Sequence, residues 1–298
     1  MKRFAVLFLT LSLAMSLSAC KKAEDQSVPD ASVPAAPEEV ETPAEGFTTL
    51  TGDAFAPDNV KSVSASAIVT EGRIPGGEYA LPEAVTDIVD WTSQGGVGLL
   101  CDLPEADAAF YAVEGKEFSP ALIRWGDSLA EFDWRYATPR NIVPRMWCFD
   151  FDGDGVDELV VDCYYGSGTG VSLSDLHVVE KGSDGNLTAY TFPLDALTAA
   201  LGSSLGIVTT GETVCAYLGT ELVDITKALE DLQPRYEGSG LSLGETIEFE
   251  KSEEGMTCRM GAVVDAEKLH HWYAADITAD VFYKDGEFIL DGLHLDGY

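Results

Sequence analysis

Apolar residues in this chain recur at alternate positions in short runs, and glycine, proline, asparagine or aspartate separates most of the runs. A period of two residues is typical of half-buried β-strands. The turn signals Gly126-Asp127 and Lys284-Asp285-Gly286 predict hairpins. We predict strands over residues 108–113, 121–125, 159–165, 176–181, 187–192, 213–218, 221–225, 246–250, 256–260, 277–283 and 287–290.

Helical spacing is found in only a few segments. Residues 82–94 begin with proline and place Val85, Ile88 and Val89 on one helical face, and residues 193–201 begin with proline and stop before Gly202. The pattern therefore predicts an α+β, mainly antiparallel β fold, a sheet-rich domain with two or three short helices.

The N-terminus carries a targeting signal. Lys2-Arg3 precedes the apolar run 4–15, which is too short for a stable membrane span. Leu17-Ser-Ala-Cys20 follows, and this quartet resembles the lipobox of bacterial lipoproteins. The resemblance implies cleavage before Cys20, lipid attachment to its thiol, and anchoring to the cell membrane or outer membrane on the extracytoplasmic side.

Composition divides the rest of the chain. Residues 21–46 are rich in Pro, Ala and acids and nearly lack large apolar side chains, so we predict a disordered tether after the signal peptide 1–20. Residues 47–298 are numerous enough to bury a core, and we predict that they form a single β-rich extracytoplasmic domain.

An acidic loop, residues 150–158, contains five carboxylates in nine residues. Side-chain oxygens at alternate positions around a glycine bend are how short loops wrap calcium. We predict calcium ligands from the side chains of Asp150, Asp152, Asp154 and Glu158 and from the carbonyl of Val156. Val161 stands where an EF-hand requires glutamate, and both flanks are predicted to be strands.

The acidic loop resembles those of FG-GAP and VCBS repeats. Calcium in this loop would either staple a β-hairpin or tune a binding surface. Its Asp-x-Asp-x-Asp-Gly pattern occurs once, so we do not expect a complete propeller. More broadly, residues 121–134, this loop and Gly166-Ser-Gly-Thr-Gly170 resemble a domain of uncharacterised bacterial lipoproteins, also seen beside β-lactam-sensor-type metallopeptidases. The resemblance implies a binding or sensory role outside the membrane.

The net charge of the chain limits the kinds of partner that it can bind. The formal net charge of −33 repels nucleic acid and anionic polymers and attracts divalent cations. We therefore expect no nucleic-acid partner. The membrane, through Cys20, and a protein or peptide are the expected partners.

Arginine and aromatic residues concentrate just before the acidic loop. Trp, Tyr and Arg dominate interface hot spots, so this set is a candidate ligand face. The alternative is core aromatics plus arginines paired with local carboxylates. The candidate residues are Arg124, Trp125, Trp134, Tyr136, Arg140 and Arg145.

The other cysteines leave two alternatives open. Cys101, Cys148, Cys163, Cys215 and Cys258 are an odd number, so at least one thiol is unpaired. Cys148 and Cys163 flank the acidic loop and form either a disulfide across a strand pair or two small buried side chains.

No catalytic residue is assigned. Gly202-Ser-Ser204-Leu-Gly206 fits a nucleophile-elbow pattern, but it follows a predicted helix and precedes a strand, the reverse of an elbow. We expect a lipid-anchored, calcium-stabilised binding or sensory domain without catalysis. The alternatives are an extracytoplasmic hydrolase of cell-wall or glycan polymers and a structural partner in a membrane complex.

Overall fold

The structure is a computed structural model that describes residues 59–76, 78–87, 96–113, 120–202, 204–230, 240–253, 255–264 and 272–298. The predicted signal peptide and tether lie outside these ranges.

Strands dominate the described residues. Two short helices, α1 (Leu194–Leu201) and α2 (Thr226–Glu230), and two 3-10 turns, Pro104–Ala106 and Pro139–Asn141, interrupt them. The strands are β1 (Ser62–Ser66), β2 (Ile68–Glu71), β3 (Val97–Leu103), β4 (Ala108–Val113), β5 (Ala121–Trp125), β6 (Ser128–Phe132), β7 (Arg145–Phe149), β8 (Glu158–Gly168), β9 (Val171–Lys181), β10 (Leu187–Thr191), β11 (Leu205–Thr210), β12 (Thr213–Leu218), β13 (Glu221–Asp224), β14 (Leu241–Lys251), β15 (Met256–Val264), β16 (Tyr273–Lys284) and β17 (Glu287–Gly297).

The described strands form three sheets. The largest has ten strands in the order β1-β17-β16-β15-β14-β9-β10-β2, with β8 and then β7 added beside β9. The others are β11-β12-β13 and β3-β4-β5-β6. Pairing is antiparallel except where Ser172 of β9 meets Thr246 of β14. The prediction of a sheet-rich, mainly antiparallel fold is confirmed.

One continuous run of chain contributes the strands at both ends of the ten-stranded sheet. β1 and β2 are separated only by Ala67, yet β1 pairs with β17 and β2 pairs with β10. The amide of Ala67 donates to the carbonyl of Gly286 at 2.9 Å. This run therefore links the β14–β17 half of the sheet to the β7–β10 half.

The β8–β9 hairpin contributes to two cores. Leu159 and Val161 join a cluster with Phe110 and Ile123 of the four-stranded sheet. The alternate residue Val160 faces a larger cluster that includes Phe249 and strands β15–β17. Successive residues of β8 thus point into two different cores. The strand is buried on both faces, which explains the continuous apolar run in its sequence.

The helix predicted at residues 82–94 is wrong over its described part, residues 82–87, which is not helical. The amide of Thr86 donates to the carbonyl of Leu99 at 2.8 Å, and Thr86 Oγ1 accepts from the amide of Leu99 at 3.1 Å. Nearby Tyr79 and Leu81 pack on the outer face of the four-stranded sheet. Pairing with β3 has overridden helical spacing. Residues 88–94 lie outside the described residues.

The second predicted helix is confirmed as α1. The amide of Gly202 donates to the carbonyl of Thr198 at 3.0 Å and closes its last turn. The strand β11 follows directly, so the order around Ser204 is helix, turn, strand, as expected.

The disulfide hypothesis for Cys148 and Cys163 is wrong. All five described cysteines are free thiols. Cys148 pairs with Leu159, and Asp162 already pairs with Arg145 at the start of β7, so Cys163 lies beyond that strand. Four residues along a strand span about 13 Å, whereas a disulfide needs Cα atoms within about 7 Å.

Candidate metal centre and the predicted ligand face

The acidic loop connects β7 to β8 and is shaped by its own carboxylates. Asp150 accepts from the amides of Gly153 at 2.8 Å and Gly155 at 3.1 Å. Both glycines have a positive φ, +79° and +92°, which side-chain-bearing residues rarely adopt. Asp152 accepts from the amide of Asp154 at 2.9 Å. The sequence folds this way because each short acid caps the next turn.

Three of the predicted ligands converge. One carboxylate oxygen each of Asp150, Asp152 and Glu158 lies within 4.8 Å of the other two. Two oxygens bound to one calcium at about 2.4 Å lie at most about 5 Å apart. The spacing therefore fits a common calcium ion.

The other two predicted ligands are placed differently. The carboxylate of Asp154 accepts from the amide of Val156 at 2.7 Å and lies outside the converging trio. The side chain of Val156 is exposed, which leaves its backbone as the predicted ligand.

Glu158 is the buried member of the trio, only 4% exposed. Its Oε2 accepts from the amides of Phe151 at 2.7 Å and Asp152 at 3.4 Å. Burial, with the charges of Asp152 and Asp154, raises the pKa of Glu158 to about 7. A buried carboxylate among like charges is stabilised by a cation, so the donor set fits calcium.

A cleft of about 400 Å³ opens beside the acidic loop. It is lined by Asp152 and Glu158 on the loop side, and by Glu180, Tyr190 and Asp285 from other elements. Tyr283 donates to Glu180 at 2.6 Å and fixes that wall. The loop therefore borders a cleft built from several strands.

The predicted ligand face is wrong for its two central aromatics. Trp134 and Tyr136 are 5% and 4% exposed and belong to the core beside β8. Trp134 stacks on Phe132 at 4.6 Å between ring centroids. The indole nitrogen of Trp134 is buried without a hydrogen-bond partner among the described residues, so its contacts there are those of its ring.

The arginines of the predicted ligand face are either paired with carboxylates or exposed. Arg124 pairs with Asp107, and Arg145 pairs with Asp162 at 2.8 Å and Glu250 at 3.0 Å. Arg140 is exposed in the turn Pro139–Asn141, with φ of +56°. Trp125 is half-buried, and Lys181 donates to its carbonyl at 3.1 Å. The structure favours the alternative of core aromatics and paired arginines.

Sequence reasoning missed buried ionisable groups in the β8–β9 hairpin. Asp162 is 3% exposed, and burial raises its pKa while Arg145 opposes that shift. Asp175 bonds to Arg135 at 2.9 Å and 3.0 Å. The available signal was an isolated acid within the apolar run 159–165, paired across β7 with an arginine.

His177, on β9, is buried against Trp134. Its Nδ1 lies 2.8 Å from Thr191 Oγ1, and its ring stacks on Trp134 at 4.0 Å. Burial, with a smaller contribution from Arg135, lowers the pKa of His177 to about 3. The ring is therefore neutral at physiological pH, which suits its apolar surroundings.

A second acidic feature, which we call the acidic groove, runs over the outer face of β14–β16. Two depressions of about 490 Å³ and 320 Å³ share Glu248 and Arg259 in their lining. Register places Glu248, Arg259 and Thr278 in one row across the strands. The groove is lined by Glu248, Glu250, Thr257, Arg259, Asp276, Thr278, Asp280, Tyr273 and Tyr298.

Among the described residues, no helix has the length and apolarity needed to cross a membrane. A scan against protein-family models found no match to this chain, and searches of curated proteins and of solved structures also found none.

Proposed function

We propose that this protein is a membrane-anchored extracytoplasmic lipoprotein whose sheet-rich domain binds calcium in the acidic loop and serves as a binding or sensory domain without catalysis. The observation that carries the proposal is the convergence of Asp150, Asp152 and buried Glu158 within 4.8 Å. Their oxygens would hold the ion, and the Val156 carbonyl is the further predicted ligand.

Calcium would supply charge compensation and no reaction chemistry. It would neutralise three carboxylates that otherwise repel one another and would tie the start of β8 to Asp150. The neighbouring cleft wall, with Glu180 and Asp285, belongs to other strands. Ion binding is therefore expected to stiffen the loop on which one side of this cleft is built.

The hydrolase alternative has less support. Glycoside hydrolysis needs a carboxylic acid that is protonated at working pH beside an ionised partner. In the acidic groove, Glu248 is paired with Arg259 and Glu250 with Arg145. Both glutamates are therefore occupied by arginine side chains, and the converging acids of the acidic loop are the predicted calcium ligands.

Calorimetric titration of calcium into the chelator-treated full-length protein tests the metal site. We expect one binding event that Asp152→Asn abolishes. Asp157→Asn is the matched control, because Asp157 is an exposed acid of the same loop outside the trio. Equal loss in both variants, or no heat at millimolar calcium, would contradict the proposal.

The anchor has its own test. Cells grown with a labelled fatty acid should transfer the label to the wild-type protein and not to Cys20→Ser, which should leave the membrane fraction. Label retained on the Cys20→Ser variant would disprove this attachment site while leaving the calcium site unaffected.

A further inference from the structure

The outer face of β14–β16 is organised as a channel with charged walls. Along β15, the floor residues Thr257 and Arg259 alternate with core residues. Glu248 and Glu250 stand on the β14 wall, and Asp276 and Asp280 stand on the β16 wall. Period-two alternation brings all these side chains to one side of the sheet.

The channel is electronegative despite its arginine. Its four wall carboxylates exceed the two arginines that pair with them: Arg259 bonds Glu248 and approaches Asp276 at 3.9 Å, and Arg145 bonds Glu250 at 3.0 Å. Asp280 is exposed, and the Glu250 carboxylate, although paired with Arg145 through one oxygen, is 70% exposed and still faces solvent. The net charge of −33 reinforces a field that steers cations toward this face.

Aromatic side chains are exposed toward both ends of the same face. Tyr298 is 55% exposed and donates to Asp276 at 2.6 Å. Phe282 is 44% exposed and lies two residues beyond Asp280, on the same side of β16. Six residues of strand separate Asp276 from Phe282, about 20 Å. Exposed rings flanking a charged strip are an independent sign of a contact surface, because aromatics anchor interfaces.

We propose that the acidic groove docks an extended, lysine- or arginine-rich peptide segment of a partner protein. Its basic side chains would pair with Glu250 and Asp280, and its ends would contact Tyr298 and Phe282. A segment of about six extended residues spans about 20 Å, which matches the distance between the aromatic ends. A small cation would bind the carboxylates but could not contact both Tyr298 and Phe282.

This inference stands apart from the calcium proposal because the groove residues lie on β14–β17 and not in the acidic loop. Asp152→Asn is therefore expected to bind the peptide like the wild type. If the protein binds the peptide but no calcium, the proposed function is contradicted and the docking proposal stands.

Fluorescence anisotropy with the full-length protein tests the docking surface. The probe is a labelled short peptide of alternating lysine and serine with leucine at each end; a peptide with glutamate in place of lysine is the negative probe. We expect the lysine peptide to bind and Glu250→Gln/Asp280→Asn to weaken it about tenfold. Glu71→Gln/Asp127→Asn is the matched control, since it removes the same charge from exposed positions outside the groove.

Phe282→Thr separates peptide docking from simple cation attraction. It should weaken the lysine peptide by about fivefold and leave spermine binding, measured by competition, unchanged. Thermal melting of every variant checks its fold. Absence of peptide binding, equal weakening by the two charge variants, or insensitivity to Phe282→Thr would overturn the proposal.

Discussion

The acidic loop and the β8–β9 hairpin that follows it both bury ionisable side chains, but they compensate charge differently. In the hairpin, Asp162 and Asp175 each have an arginine partner from the same chain. In the loop, buried Glu158 receives backbone amides and is surrounded by other carboxylates. A charge compensated by a side chain of the same protein needs no ion from solution. A charge left to backbone dipoles makes local stability depend on an ion or a proton.

Removing the internal cation from the hairpin should have the largest effect. Arg145→Ala leaves Asp162 buried without its guanidinium partner, and we expect a loss of about 3 kcal/mol in the free energy of unfolding. Urea unfolding measures it. Arg140→Ala, an exposed arginine in a turn, is the control and should change stability little. Equal effects would mean that Arg145 contributes no more than a surface charge.

Supplying the external cation to the loop should have the next largest effect. At calcium a hundredfold above its dissociation constant, the free energy of unfolding should rise by about 2.7 kcal/mol. Asp150→Asn should lose this gain, and Asp157→Asn should keep it. Thermal melting with and without chelator measures both. A calcium-dependent rise that survives Asp150→Asn would place the ion elsewhere.

His177 is a third case, because it is buried in its neutral form. Its effect on the free energy of unfolding should be seen at acidic pH. Its folded pKa is lowered to about 3, and an unfolded histidine titrates near 6.5. The unfolded state therefore binds more protons between these values, so stability is lost as pH falls below about 6.5. Between pH 6.5 and 5 we expect a loss of about 2 kcal/mol from this residue. His177→Phe should flatten the pH profile of urea unfolding, and an unchanged slope would assign it to carboxylates.

The smallest effect should come from the arginine of the acidic groove. Arg259 is 55% exposed and pairs with Glu248, which is 46% exposed. Exposed pairs contribute less than about 1 kcal/mol, so Arg259→Ala should barely change urea unfolding. A loss comparable to that of Arg145→Ala would show that the groove is a structural core and not an open surface.

Local patterns predicted much of the fold. Short apolar runs located β4, β5 and the β8–β9 hairpin, because strands that are buried on both faces are apolar at consecutive positions. Residues 82–87 failed because helical spacing on a short apolar segment cannot be distinguished from a segment that pairs with β3. The Trp134 and Tyr136 prediction failed because an arginine-aromatic cluster has the same composition in a core as on a surface.

The candidate site was predicted to the extent that it is local in sequence. Asp150, Asp152 and Glu158 converge because one tight loop carries all three. The acidic groove could not be predicted, because its carboxylates on β14 and β16 are separated by residues 251–275 and meet only through the register of β14–β16. Contacts between distant segments depend on tertiary pairing, which no local pattern records.

The single run that forms β1 and β2 has a mechanical consequence. It is the first described part of the domain, so tension carried by the preceding chain enters through β1, whose partner β17 is the last strand. Ser62 at the start of β1 pairs with Asp291, and Ser66 at its end pairs with Glu287. The pairing of β1 with β17 would therefore be the first part of the ten-stranded sheet to carry that tension.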